Sequence, residues 1–342
     1  MKTYRLKCEI LSPLHIGTGH ELTPLDYVIK EGTLHKISFE KYVLAMDDAE
    51  RGRFERLIEE GNLARLRQHV SERMKRGDAV YSVEVAAPVQ ALYALKVGDV
   101  QNQLIVAPFV RTGEAAVPFL PGSSVKGAIR TAVISDLAKT SGLPRPKDSK
   151  EEYAFESQVL GYKDGKDDPF RAIKLSNVPL KHDVTIVREV RNLSKKRDGG
   201  LQANDIQMIC ETTHSRVSGK EVTFDTQISI DETLIATRIF SKAFTLEQIV
   251  TACREFYRDK MEKEHQKFYK NSSVSQWSQR LLDTPLGGQA FLLRLGRFSG
   301  VESVTLDNYR NPRPPGDKGW GSSRNLAEGI YPMGWIMATV VA

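Results

Sequence analysis

The chain has 342 residues and a formal net charge of +6, with 40% hydrophobic and 27% charged residues. This composition is typical of a globular protein of about two domains. The sequence has no long apolar run and its first residues are charged, so we expect neither a membrane helix nor a signal peptide. Its three distant cysteines form no Cys-x-x-Cys pair, so we expect buried thiols in a reducing cytoplasm. The small basic excess is compatible with a nucleic-acid partner.

The first half of the chain predicts strands around one helical segment and one long helix. Ser38 is placed to cap a helix, and apolar residues then keep helical spacing through a charged stretch as far as Arg76. We interpret residues 38–76 as an inserted helical subdomain. A long helix is predicted at Ser123–Ala138. The predicted strands are Tyr4–Leu11, the hairpin Tyr27–Ile37, Val80–Val85, Gln90–Val97 and Arg171–Ser176.

The second half, from about Lys181, repeats the mixture of strands and a helix. Apolar residues at helical spacing predict a long helix at Phe244–Tyr269. The predicted strands are Asp183–Asn192, Glu221–Ile230, Phe291–Leu295 and Trp335–Val341. Strand, hairpin, strand, helix and strand in succession favour an α+β fold over a parallel doubly wound sheet.

The segment Pro118–Arg130 predicts a loop that leads into a helix with an anion site at its start. Pro121-Gly122 ends the preceding element, and Ser123 or Ser124 is placed to cap the helix. Lys126 and Arg130 lie four residues apart and share a helix face, so free amides and two cations would suit a phosphate. The alternative is a capped core helix with solvated cations. The spacing excludes a nucleotide P-loop, since Lys126 precedes Gly127.

Two further segments accompany this motif. Ser12–Gly19 follows the opening strand, and Phe291–Gly300 is an apolar strand that continues into a glycine-rich basic loop. In order and spacing, these two segments and Pro118–Arg130 resemble the RAMP superfamily of CRISPR proteins along most of the chain. The run Phe119–Thr131 and the long second half are most similar to the fifth Csm subunits of type III-A effector complexes.

The resemblance implies ferredoxin-like, RRM-related βαββαβ units, which agrees with the pattern of elements. We therefore expect two such domains, residues 1–180 with the helical insertion and residues 181–342 with the glycine-rich loop. The resemblance also implies a non-catalytic, cytoplasmic subunit that binds the guide RNA (crRNA) and caps the complex at the 3′ part of the guide, supporting guide maturation and antiviral defence. Its implied partners are target RNA, a backbone RAMP subunit and a small helical subunit, with no cofactor and no membrane.

The candidate RNA-binding residues are glycines, cations and an aromatic side chain. Glycines let backbone amides approach phosphates, and guide RNAs are held mainly through their backbone and shape. Trp320 lies in a Gly/Pro-rich loop and is placed to stack on an unpaired base. The predicted set is His15, Gly17, Gly19, Gly122, Ser123, Ser124, Lys126, Gly127, Arg130, Arg294, Gly296, Arg297, Gly300 and Trp320.

Two catalytic alternatives stay open at this point. In the first, the protein is a RAMP endoribonuclease that processes guide RNA, with His15 as general base. In the second, it is a backbone subunit that cuts target RNA through Asp26. We favour a packing role for His15 and a hairpin-capping role for Asp26. No group of ligands at a familiar spacing accompanies His15 and His20, so we expect no metal site.

Overall fold

The computed structural model describes residues 1–196, 200–204, 208–306, 309 and 321–341, and these ranges form a mixed α+β structure. Its strands are β1 Lys2–Ile10, β2 Tyr27–Lys30, β3 Thr33–Ile37, β4 Ala79–Val85, β5 Val106–Ala107, β6 Arg111–Thr112, β7 Val117–Leu120, β8 Ile173–Leu175, β9 Val178–Pro179, β10 Thr185–Lys195, β11 Leu201–Ala203, β12 Met208–Thr213, β13 Thr223–Ile230, β14 Ala290–Arg294, β15 Ser323–Ala327, β16 Tyr331–Pro332 and β17 Trp335–Val341. Its α-helices are α1 Phe39–Leu44, α2 Asp48–Glu59, α3 Leu63–Arg73, α4 Ala87–Lys96, α5 Gly122–Thr140, α6 Ser149–Leu160, α7 Glu232–Ala236, α8 Leu246–Glu264, α9 Ser275–Leu282 and α10 Val301–Val304. The expected α+β class is confirmed.

The first sheet has the strand order β14-β17-β1-β13-β8, and every pairing in it is antiparallel. Helices α5 and α8 cover one face, and the Tyr257 hydroxyl on α8 donates to the carbonyl of Ala128 on α5 at 3.0 Å. Leu6, Ile129 and Trp335 are fully buried in this core. The sheet and its two helices thus fix where the strand ends lie.

The first sheet takes strands from both sides of the boundary that we placed at residue 180. Strand β1 lies between β13 and β17, and β8 pairs with β13. Strands from residues 1–180 and from residues 181–342 therefore pair with one another in this sheet. Sequence periodicity identified the strands, but it carries no information about which distant strands pair. The division into two domains stays a prediction.

The second sheet runs β16-β15-β10-β4-β3-β2. Strands β11 and β12 also pair with β10, β5 pairs with β12, and β6, β7 and β9 form a third sheet. The hairpin β2–β3 turns through Glu31 and Gly32, both with positive φ, as a two-residue turn of the I′ type requires. Helices α1, α2 and α3 follow within residues 38–76, and the Ser38 hydroxyl caps α1 by accepting from Lys41 N at 3.3 Å. That these helices form an inserted subdomain stays a prediction.

One predicted strand is a helix. Gln90–Val97 lies mostly within α4, which begins at Ala87 and has Pro88 in its first turn. Proline favours this position because its missing N–H would have no partner there. Val89 and Tyr93, four residues apart, are the buried residues of this helix, so the helical period prevails over the local alternation. Within the described ranges, no helix is long and apolar enough to cross a membrane.

Candidate nucleic-acid interface

The N-terminal loop after β1 and the glycine-rich loop after β14 are joined through their backbones. Arg297 N donates to the His15 carbonyl oxygen at 3.0 Å. The N-terminal loop is also held by Gly334 N, between β16 and β17, which donates to the Pro13 carbonyl oxygen at 2.8 Å. Gly296 has a φ of 87°, and a Cβ at this position would overlap the His15 carbonyl. The close approach requires glycine here. Two of the three sequence motifs therefore form one unit.

His15 lies beneath this unit rather than on its surface. Its side chain is 2% exposed; Nδ1 bonds to the Glu211 carbonyl oxygen at 2.7 Å, and Nε2 is buried without a partner among the described residues. Burial lowers the pKa of His15; the Glu211 carbonyl opposes this effect, and the charge of Arg297 adds to it. The ring packs beside Phe298, with centroids 5.7 Å apart. His15 is thus a neutral packing residue that supports the glycine-rich loop.

The two glycines after His15 occupy different surroundings. Gly17 forms an isolated bridge with Phe109, and a Cβ on it would lie 3.0 Å from His15 Nε2. Gly19 has a φ of 83° and open space around it. Both lie at the exposed end of the N-terminal loop, where their backbone can be approached from solvent.

The start of α5 differs from the prediction. Pro121 is the N-cap residue, and neither Ser123 nor Ser124 caps the helix, so the predicted serine cap is wrong. The first helical amide, Gly122 N, instead donates to Asn177 Oδ1 at 2.9 Å, and a Cβ on Gly122 would overlap the Leu175 carbonyl. A side chain from a different loop thus satisfies this helix end, a partner that local sequence does not reveal.

Arg130 is not a free cation near the helix start, and this expectation is wrong. Its guanidinium donates to Asp168 at 2.8 Å, to Glu156 at 3.2 Å and to the Tyr162 hydroxyl at 3.1 Å. Lys126 is half-buried and makes no ion pair with the described residues; burial lowers its pKa, as do the charges of Arg130 and Lys174, against the opposing charge of Asp168. Lys126 alone remains available to an anion there.

The α5 motif and the glycine-rich loop lie at opposite edges of the first sheet. The α5 start contacts Leu175 at the end of β8, whereas the glycine-rich loop follows β14. Four inter-strand steps of about 4.8 Å separate these edges, or about 19 Å. The three motifs therefore do not converge on one phosphate.

Arg294 is buried, and the expectation that it contacts RNA is wrong. It is 3% exposed; its Nη1 donates to Glu264 Oε1 at 2.8 Å, and its Nε donates to the Met333 carbonyl oxygen at 3.0 Å. Arg324 donates to the same Glu264 oxygen at 2.5 Å and pairs with Glu302 at 2.9 Å. We call these four charged side chains the buried ion network. It carries equal numbers of positive and negative charges.

Arg297 is the exposed cation of the glycine-rich loop. It makes no ion pair with the described residues, and its guanidinium lies 5.5 Å from the Phe298 ring centroid. Gly300, with a φ of 76°, lies above the buried ion network, so a Cβ there would contact Glu302, Arg324 and Arg294. The network supports the loop, while Arg297 faces solvent. Trp320 lies outside the described residues.

Asp26 takes the hairpin-capping role that we favoured. Its Oδ2 accepts from Thr23 N at 2.9 Å and from the Thr23 hydroxyl at 2.8 Å, and Oδ1 lies 3.6 Å from Lys36 Nζ. Within the described part of the chain, no three His, Cys, Asp or Glu side chains are grouped to hold a metal ion. Cys8, Cys210 and Cys253 are free and buried, as expected.

Glu264 is a residue that sequence reasoning missed. It lies on the inward face of α8, three residues after Met261 and seven after Tyr257, at a position where the helical period predicts an apolar side chain. An acid at a core position of an amphipathic helix is a signal of a buried ion pair, because a lone buried charge is too unfavourable. The sequence does not show that its partners are Arg294 and Arg324.

Comparison with known proteins gives a family match over most of the chain. The model of the RAMP superfamily matches residues 7–296. A protein of Methanocaldococcus jannaschii described as a CRISPR system protein Csm5 is 32% identical over 133 residues, which cover 39% of this chain and 30% of that relative. The match thus spans less than a third of the relative's length.

Two solved structures share the fold. A chain in the cryo-EM structure of a type III-A Csm–crRNA–target RNA ternary complex superposes with a TM-score of 0.71 at 21% identity, covering 99% of this chain and 100% of that one. The crystal structure of T. onnurineus Csm5 gives a TM-score of 0.65 at 21% identity, covering 96% and 99%. The similarity extends over the whole length of both folds.

Proposed function

This chain belongs to the RAMP superfamily, and we propose that it is a Csm5-type, guide-RNA-binding subunit of a type III-A CRISPR interference complex. The observation that carries the proposal is the unit formed by the N-terminal and glycine-rich loops. It presents the exposed Arg297, which has no ion pair among the described residues, together with the exposed backbone at Gly17 and Gly19. Such a surface suits the sugar–phosphate backbone of single-stranded RNA. The Csm–crRNA complex with the same fold supports crRNA as the ligand.

The proposed RNA path has two contact regions. The first comprises the exposed backbone at Gly17, Gly19, Gly296 and Gly300 together with Arg297. The second lies at the start of α5 and comprises Ser123, Ser124, Lys126 and Gly127; Lys126 has no ion pair among the described residues. Gly122 is buried and bound to Asn177, and it positions this helix start. Because the regions are about 19 Å apart, an extended strand would contact them in succession rather than at one phosphate. His15 and Arg294 contribute by holding the first region in place.

The complex architecture follows from the same proposal. The subunit would cap the backbone filament at the 3′ part of the guide, beside a backbone RAMP subunit and a small helical subunit, and would support guide maturation. Target RNA would be met in the assembled complex. We retain two ferredoxin-like units as the origin of the fold, with β1 as a strand shared between halves and residues 38–76 as an insertion.

We also propose that the subunit is not an enzyme. His15 Nε2 is enclosed, and Nδ1 is bound to a backbone carbonyl, so neither nitrogen is placed to accept a proton from a ribose hydroxyl at the surface. Asp26 is committed to Thr23 and lies near Lys36. These arrangements favour binding over cleavage.

RNA binding by the purified chain, measured by fluorescence anisotropy over a salt series, tests the proposal. Contacts to about three to five phosphates at ~0.7 per phosphate give a log–log slope of about −2 to −4. Arg297→Ala should make the slope shallower by about 0.7. Arg258→Ala, which removes a partly exposed cation of α8 paired with Glu262, should leave the slope unchanged. A flat salt response of the wild type would overturn the proposal.

A further inference from the structure

A row of short polar side chains lies on the second sheet directly beside the glycine-rich loop. In the pairing of β10 with β15, Asn192 is opposite Asn325 and Ser194 is opposite Ser323. Because alternate residues of a strand share a face, all four lie on the same face as Val190 and Ala327. Phe298 forms an apolar cluster with Val190 and Ala327. The neighbouring asparagine pair is half-exposed instead.

Hydrogen bonds fix the orientation of these amides. Asn204 Nδ2 donates to Asn192 Oδ1 at 2.5 Å, and Asn192 Nδ2 donates to Asn325 Oδ1 at 2.9 Å. Asn192 Nδ2 also lies 3.2 Å from the Ser323 hydroxyl. Each amide oxygen therefore accepts from the preceding amide. This series of hydrogen bonds ends at Asn325 Nδ2. That nitrogen has no partner among the described residues, so its donor hydrogens are free for a ligand.

Asn325 lines a groove of about 210 Å³ beside the glycine-rich loop. One water takes about 30 Å³ in the liquid, so the groove has room for a flat group of several heavy atoms. Arg297, Phe298 and Gly300 also line the groove. Arg324 also borders the groove, but its guanidinium is bound to Glu264 and Glu302. Two donors that line the groove are therefore placed for a ligand, the neutral amide of Asn325 and the exposed cation of Arg297.

We propose that this groove binds an unpaired RNA base, with Asn325 Nδ2 donating to a carbonyl oxygen on the base edge and Arg297 contacting the adjoining phosphate. The inference rests on the proposed RNA-binding function and adds base selectivity to it. A phosphate alone is a poorer ligand for the Asn325 amide, because phosphates are bound best by charged donors or by convergent backbone donors. Uracil offers two carbonyl oxygens as acceptors, whereas adenine accepts only through ring nitrogens. The Asn325 amide oxygen that would pair with the adenine N6 amino group already accepts from Asn192, so the groove favours uracil.

Anisotropy with labelled 12-nucleotide oligo-U and oligo-A, at one salt concentration and with the full chain, tests this. Wild type should bind oligo-U about two- to tenfold more tightly, as expected for one net hydrogen bond. Asn325→Ala should bring the affinity for oligo-U down to that for oligo-A. Asn325→Asp has the same shape but presents only acceptors to the base, so it should lower the affinity for oligo-U further. Asn271→Ala, an exposed asparagine that does not line the groove, is the matched control and should leave the ratio unchanged.

The outcomes separate this inference from the proposed function. Binding of both RNAs with equal affinity by wild type, or an unchanged ratio in both Asn325 variants, overturns the base site alone. Failure to bind either RNA overturns the proposed function as well. Thermal unfolding of each variant identifies a folding defect; if Asn325→Ala is unfolded, the near-isosteric Asn325→Asp decides the question.

Discussion

The backbone N–H of Arg297 donates to the carbonyl oxygen of His15 at 3.0 Å, although 282 positions separate the two residues in the chain. This bond places the exposed guanidinium of Arg297 above a buried, neutral imidazole. It depends on Gly296, whose positive φ turns the chain against the N-terminal loop. The geometry of the candidate interface is therefore set by backbone contact between two loops rather than by the side chains that face solvent.

We expect Gly296→Ala to destabilise the protein by about 2 kcal/mol or more. An alanine at a φ of 87° is strained, and its Cβ would overlap the His15 carbonyl, so one of the loops must move. Urea unfolding followed by circular dichroism measures the change. RNA affinity should fall as well, because Arg297 would be displaced.

Gly127→Ala is the matched control for this substitution. Gly127 is exposed within α5, has no neighbouring atom within 4 Å of an added Cβ, and has helical φ. Alanine there should stabilise the protein by up to ~1 kcal/mol. Equal stability of Gly296→Ala and wild type would show that the loop contact is not rigid.

The sequence predicted elements that local periodicity determines. Strands Tyr4–Leu11 and Trp335–Val341 and the helix after Gly122 all agree with the structure, because a period of two or of 3.6 is a local property. The pairing of β1 with β13 and β17 was not predicted, since it joins residues more than 200 positions apart. The sequence thus predicts which segments form strands, but it does not predict the order of those strands in the sheet.

The candidate site was predicted in part for the same reason. The glycines of both loops were identified because conformational freedom is a property of the residue itself. Whether an arginine is free to bind an anion depends instead on residues far away in the sequence. Arg294, Arg297 and Arg130 look alike in sequence, but Glu264 pairs with Arg294 and Asp168 pairs with Arg130. Asn325 carried no sequence signal, because its role depends on the strand register that places it opposite Asn192.

Separate substitution of Lys126 and Arg130 should give opposite results. Arg130→Ala should cost about 2–3 kcal/mol of stability, because it leaves the half-buried Asp168 without its charged partner. Lys126→Ala should change stability by no more than ~0.5 kcal/mol, since the side chain makes no ion pair with the described residues, but it should weaken RNA binding several-fold.

Urea unfolding and anisotropy together distinguish the two residues. Lys139→Ala serves as the control, because this exposed lysine near the other end of α5 pairs only at the surface with Asp136 and Glu255. If Lys126→Ala unfolds the protein, or if it binds RNA like wild type, the second contact region is not a phosphate site.

The buried ion network should make stability depend on pH through Glu302. Burial alone would raise the pKa of this carboxyl, but the charge and hydrogen bond of Arg324, with Lys267 nearby, lower it below its usual value of 4.5. A carboxyl with a lower pKa in the folded state stabilises the fold above its unfolded pKa, and this contribution is lost as the pH falls through the folded value.

Glu302→Gln should therefore be less stable than wild type at pH 7 by about 1–3 kcal/mol, and the difference should shrink below pH 4.5. The urea midpoints of wild type and Glu302→Gln, compared between pH 7 and pH 3, measure this difference in stability. Glu262→Gln, an exposed acid of α8 that pairs with Arg258, should show little difference at either pH. A constant difference across the range would mean that Glu302 stabilises through packing rather than charge.

Finally, we expect neither His15→Ala nor Asp26→Ala to abolish cutting of target RNA by an assembled complex. RNA cleavage needs a base beside the 2′-OH and a donor for the negative charge that develops on the phosphorane oxygens. His15 has one nitrogen bound to the Glu211 carbonyl and the other enclosed beneath Gly17, while Asp26 accepts from Thr23 and lies near Lys36. Asp26→Ala should instead cost ~1 kcal/mol, as loss of a capping side chain does. Denaturing gels with a divalent metal, at equal guide occupancy, compare the products; loss of one specific product with Asp26→Ala would show that this carboxylate cuts RNA.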